Sequence, residues 1–169
     1  AGQSGNTDES FCVDCVAGQA DLDTNPATAC AQCPPGTFAD AGLVACASCR
    51  GGQADIDEDA ATACEPCEPG TFSASNATTC ENCKAGWADL DRDPSTECDT
   101  EASRCSVGSF STAGAVSCET CAGGKADVDL NASTPCTHCT PGYFSQSNAT
   151  TCQPCVAGRA DVDADATTP

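Results

Sequence analysis

The feature that most constrains this chain is a cysteine pair that returns with a fixed rhythm. Pairs at Cys12/Cys15, Cys46/Cys49, Cys80/Cys83, Cys118/Cys121 and Cys152/Cys155 form one class, and pairs at Cys30/Cys33, Cys64/Cys67, Cys98/Cys105 and Cys136/Cys139 form a second. Within each class successive pairs lie 34 residues apart, except where four extra residues turn one CxxC into C-x6-C between Cys98 and Cys105. A period of this size marks a chain built from small units that contact mainly their neighbours, so the repeat decides the architecture.

Two half-units alternate. One runs from CxxC into Pro-Gly-Thr-Phe, seen at Gly36-Thr37-Phe38 and Gly70-Thr71-Phe72, with Gly142-Tyr143-Phe144 and a degraded Val107-Gly108-Ser109-Phe110 as further copies. The other runs from CxxC through a glycine (Gly18, Gly52, Gly86, Gly124, Gly158) into an acidic D-x-D tail. The repeats divide the chain into a partial unit at 1–29, units at 30–63 and 64–97, a unit with the insertion at 98–135, and a unit at 136–169. By phase, a cysteine is expected just before Ala1 and another just after Pro169, so the array is expected to continue at both ends.

Eighteen of the 169 residues are cysteine, and eighteen are Val, Ile, Leu or Phe, against a net charge of -19. So little apolar surface cannot offset chain entropy, and without cross-links such a chain would stay disordered. Covalent loops must replace the core, which places the chain in an oxidising compartment, extracellular or at the cell surface. No apolar run is long enough to span a membrane, and no signal peptide is visible, so the chain is expected to be processed or a piece of its precursor. The acidity excludes nucleic acid and anionic membranes as partners, since both reward positive charge.

The expected fold is a small disulfide-rich one: an elongated tandem array of turn-rich modules with short β-hairpins and little or no helix. One phase reports on the backbone directly. Gly42 and Gly114 are replaced by Asn76 and Asn148 in other copies and by Asp8 in the partial one, and these three residue types share tolerance of positive φ. A left-handed turn residue is predicted there.

All 18 cysteines, from Cys12 to Cys155, are read as disulfide-bonded, with zinc at the paired CxxC motifs set behind because it demands thiolates in a reducing cell. Spacing admits two connectivities. Four-cysteine modules can pair first with third and second with fourth, as Cys30 with Cys46 and Cys33 with Cys49. Alternatively each pair splits, so that Cys33 meets Cys46 and Cys49 meets Cys64. The first is favoured, though spacing does not fix it.

The segments CAQCPPGTF-x7-CASC and CEPCEPGTF-x7-CENC resemble the cysteine-rich repeats grouped as ephrin-receptor-like or GCC2/GCC3 modules, and more distantly tumour-necrosis-factor-receptor repeats. The resemblance covers the whole chain and implies tandem modules of surface and extracellular proteins, including protist surface antigens and algal flagellar-hair proteins. Its motifs specify a module type and no activity, and the segment 98–105 departs from it.

The acidic tails at Asp21, Asp55, Asp89, Asp127 and Asp161 share D-x-D-x-[DN]. Alternating oxygens resemble the start of a calcium loop, but the glycine and the bidentate Glu of such a loop are missing, so calcium is the only cofactor in view and a weak one. The preferred reading is an Asx turn on a solvated loop with the middle aliphatic residue packed inward. Sequons at Asn76, Asn131 and Asn148 are candidate glycosylation sites. Phe38, Phe72, Phe110 and Phe144, with Phe11, are expected to cover disulfides, and Trp87 and Tyr143 are singletons suited to an interface or to sugar stacking. With His138 as the only histidine, a catalytic constellation has no material, and no enzyme activity is expected.

The leading functional expectation is an extracellular structural protein, a glycosylated repeat array that self-associates into a coat or filament. The alternative is a receptor-like or adhesion ectodomain that binds a protein ligand, calcium assisting, with the insertion 99–104 as the candidate contact.

Overall fold

The structure, a computed structural model, describes residues 2–5, 12–25, 27–156 and 166–167, with the backbone alone described at 3–5 and 12. Asp8, Phe11, the side chain of Cys12, Gly158 and the fifth acidic tail from Asp161 lie outside the described residues. Among the described residues there is no helix; sixteen strands, most of them two residues long, form eight two-stranded sheets. No helix is long and apolar enough to cross a membrane among these residues.

The hairpins follow from the repeat. In each half-unit a glycine with positive φ, such as Gly18 at 84° or Gly36 at 76°, turns the chain into a two-residue strand. That strand pairs antiparallel with the two residues between the next pair of cysteines: Gln19 with Gln32, Thr37 with Ser48, Gln53 with Pro66, Lys125 with His138. The pair therefore brackets an exposed strand, and alternation along it decides the cross-linking. Two cysteines three residues apart on an extended strand face opposite ways, so each can serve a different loop, one behind it and one ahead.

The observed disulfides show this consequence. The bonds are Cys15–Cys30, Cys33–Cys46, Cys49–Cys64, Cys67–Cys80, Cys83–Cys98, Cys105–Cys118, Cys121–Cys136 and Cys139–Cys152. Each pair splits, which corrects the pairing of first with third and second with fourth favoured from spacing. The closed loops alternate between sequence separations of 15 and 13. In the chain-entropy account each contributes about 3 kcal/mol by restricting the unfolded state.

Cys155 stands apart from this pattern. It was read as disulfide-bonded with the other cysteines, but it is a free, half-buried thiol. The split pairing supplies the reason. Cys155 occupies the phase of Cys49 and Cys121, each of which bonds forward across a separation of 15. Its strand neighbour Cys152 is already committed backward to Cys139, and a CxxC pair on an extended strand cannot close on itself.

The chain falls into two compact units, Ala1–Glu81 with Asp93–Thr96, and Asn82–Arg92 with Glu97–Pro169. Within the first, the Gly18 amide donates to the Ala39 carbonyl at 2.8 Å and the Ala39 amide donates to Ala60 at 3.0 Å. Gly52, Ser73 and Pro94 repeat the relay, and within the second unit so do Gly86, Ser111 and Ala132, then Gly124, Ser145 and Ala166. Each relay covers more residues than one period, so consecutive hairpins are interlocked.

The interior is built from small side chains. Ala20, Ala54, Ala88 and Ala126 are fully buried, Ala20 clusters with Cys33, Ala39 and Ala60, and the largest fully buried side chains are Cys15, Cys49, Cys83, Cys121 and Ser111. Phe38, Phe72, Phe110 and Phe144 are half-buried. Cystine and alanine pack where a larger protein would place Leu and Phe, because there is no second layer to cover a longer side chain.

Candidate functional site

The acidic tails are structural first. Asp21, Asp55, Asp89 and Asp127 are buried at 4 to 5 % exposure, whereas the aliphatic residues that follow them, Leu22, Ile56, Leu90 and Val128, are 50 to 55 % exposed. This reverses the expected orientation. The reason is a donor: the Gly36 amide sits buried in its turn, and the Asp55 Oδ2 accepts from it at 3.0 Å; Asp127 Oδ2 accepts from Gly108 at the same distance. A buried amide without an acceptor costs more than a half-exposed Ile, so the carboxylate goes in. The Asp55 amide also donates to Ala77, which makes this residue a link among three successive hairpins.

The rest of the tail forms the expected Asx turn. Asp23 Oδ1 accepts the Asn25 amide at 2.9 Å and the Thr28 hydroxyl, Asp57 does the same with Asp59 and Thr62, and Asp129 with Asn131 and Thr134. These bonds hold the carboxyls below their ordinary range, chiefly through the backbone amide at Asp23 and Asp57 and through the Thr134 hydroxyl at Asp129. The oxygens that suggested calcium thus serve as acceptors within the loop, and no three His, Cys, Asp or Glu side chains gather as a metal site among the described residues.

One conformational feature had no signal in residue type. Thr24, Glu58, Arg92 and Leu130, each following D-x-D, have φ of 55 to 56°. A left-handed Leu or Thr is disfavoured by its Cβ, and the Asx bonds on either side hold it there. The Gly42 phase, by contrast, behaves as residue type foretold: φ is 79° at Gly42, 62° at Asn76, 75° at Gly114 and 63° at Asn148.

The place where the array breaks its pattern is a constructed surface. The four-residue insertion is absorbed between Cys98 and the following strand, so Arg104 still pairs antiparallel with Trp87, as Gln32 does with Gln19. The Arg104 guanidinium lies 5.9 Å from the Trp87 ring centroid, a cation–π contact, and the Ser103 carbonyl accepts from the Ala88 amide at 2.9 Å. An exposed ion pair of 3.5 Å between Lys84 and Asp99 ties the insertion down. The sequon loop then closes over this hairpin: Ser111 donates to the Ala132 carbonyl, and Ser133 packs on Gly86, whose added Cβ would meet the Ser133 nitrogen at 3.3 Å.

Two adjoining hollows result, of about 390 and 260 Å³, sharing Arg104, Leu130 and Ala132. The smaller is lined by Trp87 and Asn131 and the larger by Val107 and Glu101. The structure brings together here Trp87, the insertion and the sequon Asn131; Asn76, Asn148 and Tyr143 stand elsewhere, all exposed. Neither a family model nor a curated protein sequence matches the chain. What is shown is a tandem array of disulfide-stapled, cysteine-rich hairpins, and the eight disulfides among the described residues fit an oxidising, secretory setting.

Proposed function

We propose that the chain is part of an extracellular structural protein, a glycosylated cysteine-rich repeat array that serves in a cell-surface coat or filament. The observation that carries this reading is the overlapping amide relay, Gly18 to Ala39 to Ala60 and its copies, which within each compact unit locks disulfide-closed hairpins to their successors. Cross-linked loops joined in this way resist both unfolding and proteolysis, and repetition sets length, which are the properties a coat requires. The likeness of CxxCxPGTF to ephrin-receptor-like repeats of surface proteins supports the same setting. No catalytic role is proposed.

Electron microscopy of the protein isolated from its native cell tests this. Ordered filaments or a surface layer are expected; dispersed monomers under native conditions would count against it.

A second reading, a receptor-like or adhesion ectodomain, is favoured by the Trp87–Arg104 surface alone. If it holds, capture of a defined protein partner must be lost when residues 99–102 are deleted.

A further inference from the structure

We propose that Asn131 carries an N-linked glycan whose first sugar residue seats against Trp87 and Arg104. The inference rests on the extracellular reading and adds to it a specific site and a specific contact.

Four observations converge. Asn131 is exposed and lines the 260 Å³ hollow together with Trp87, Arg104 and Leu130. Its Oδ1 accepts the Ser133 amide at 3.1 Å and the Ser133 hydroxyl at 2.7 Å. An N-linked sugar attaches at Nδ2, so the turn that aims the side chain survives modification. The hollow is smaller than the roughly 300 to 1,000 Å³ of sites that enclose a whole ligand, and suits one sugar ring laid on a surface. Finally, the position of Trp87 is Gln19, Gln53 and Lys125 in the other described copies, so the aromatic ring stands at the one copy whose neighbouring loop bears a sequon.

The chemistry of an N-acetylhexosamine matches these groups. Its ring presents an apolar face of C–H groups that packs on indole, and Leu130, 59 % exposed, borders the same hollow. The acetamide carbonyl is an acceptor for the Arg104 guanidinium, whose five donors are only partly engaged by its ring contact. The covalent tether keeps the sugar at high local concentration, so weak stacking is sufficient for docking.

Trp87 is the only tryptophan, and its emission reports on this site alone. The chain is secreted from a eukaryotic cell line and glycopeptides are mapped at Asn76, Asn131 and Asn148. One portion is trimmed by endoglycosidase to a single sugar, and another is stripped by amidase, which leaves Asp with an oxygen still able to accept from Ser133. Trimming should leave the emission unchanged, and stripping should shift it to the red. Amidase should release the Asn131 glycan several-fold more slowly than any at Asn76 or Asn148, and Trp87→Gln, which installs the residue of sister repeats, should abolish the difference. An unoccupied Asn131, or emission indifferent to stripping, overturns the inference. Occupancy at Asn76 or Asn148 without Asn131 does so while leaving the glycoprotein reading intact, whereas three bare sequons in the secreted chain would remove both.

Discussion

Replacing Asp55 by Ala removes the acceptor of a buried amide without touching any disulfide. Asp55 is 5 % exposed, its Oδ2 takes the Gly36 amide at 3.0 Å, and its own amide, retained in the variant, still reaches Ala77. A hydrogen bond to a charged group contributes about 1.5 to 3 kcal/mol, and an orphaned buried donor costs about 1 to 3 kcal/mol. These describe the same loss from two sides, so about 2 kcal/mol is expected, or about 30-fold in the local opening equilibrium. Stability in a repeat array is a sum of local terms, so the effect should stay local. Amide exchange followed by NMR at Gly36 should therefore accelerate about 30-fold in Asp55→Ala while Gly108 is unmoved, and Asp127→Ala should give the converse. Asp55→Asn, which keeps an oxygen acceptor, should fall between. Unchanged Gly36 exchange would refute the linking role, and equal acceleration at both glycines would refute locality.

Three further outcomes are expected. Peptide mapping without reduction should recover Cys33–Cys46 and Cys49–Cys64; recovery of a Cys30 to Cys46 bond would contradict the split pairing and the strand argument behind it. Gly36→Ala should strongly destabilise the first unit, since the added Cβ falls on the Asn76 carbonyl oxygen, whereas Gly42→Asn should be close to neutral because that Cβ meets only the Asp14 side chain at 3.7 Å and sister repeats already carry Asn. A thermal melt that ranks them the other way would refute the contact argument, since the two glycines have nearly the same φ, 76° and 79°. Lowering the pH should loosen the Asx loops: the carboxyls of Asp23, Asp57 and Asp129 are held below their unfolded value, so their contribution is complete above the ordinary carboxylate range and is lost as pH falls from that range through the lowered folded-state values. Amide shifts of Asn25, Asp59 and Asn131 in the folded protein should titrate below the ordinary carboxylate range and be flat from neutrality down through it.

Much of the fold was legible because it is local. The alternation of two half-units, the short hairpins and the positive φ shared by Gly42, Asn76, Gly114 and Asn148 all follow from residue types a few positions apart. Scarcity of large apolar residues likewise dictated covalent closure. The Asx turns at Asp57 and Asp129 belong to the same class, since their donors are two to five residues away.

What the amino-acid sequence left open depends on residues that meet across tens of positions. Spacing does not separate the two disulfide patterns, and only the folded chain, in which Cys30 bonds back to Cys15 and Cys33 forward to Cys46, does so. Polarity suggested Asp out and Ile in, and the opposite holds at Asp55 and Ile56 because a buried glycine amide 19 residues earlier demands a carboxylate. Trp87, the insertion 99–104 and Asn131 were each notable alone, and only the preserved register of the insertion and the closure of the next loop over Gly86 made them one surface. Local chemistry determined the brick by itself; how its polar groups find partners in neighbouring bricks was decided by tertiary packing, because an unsatisfied buried donor outweighs the preference of any single side chain.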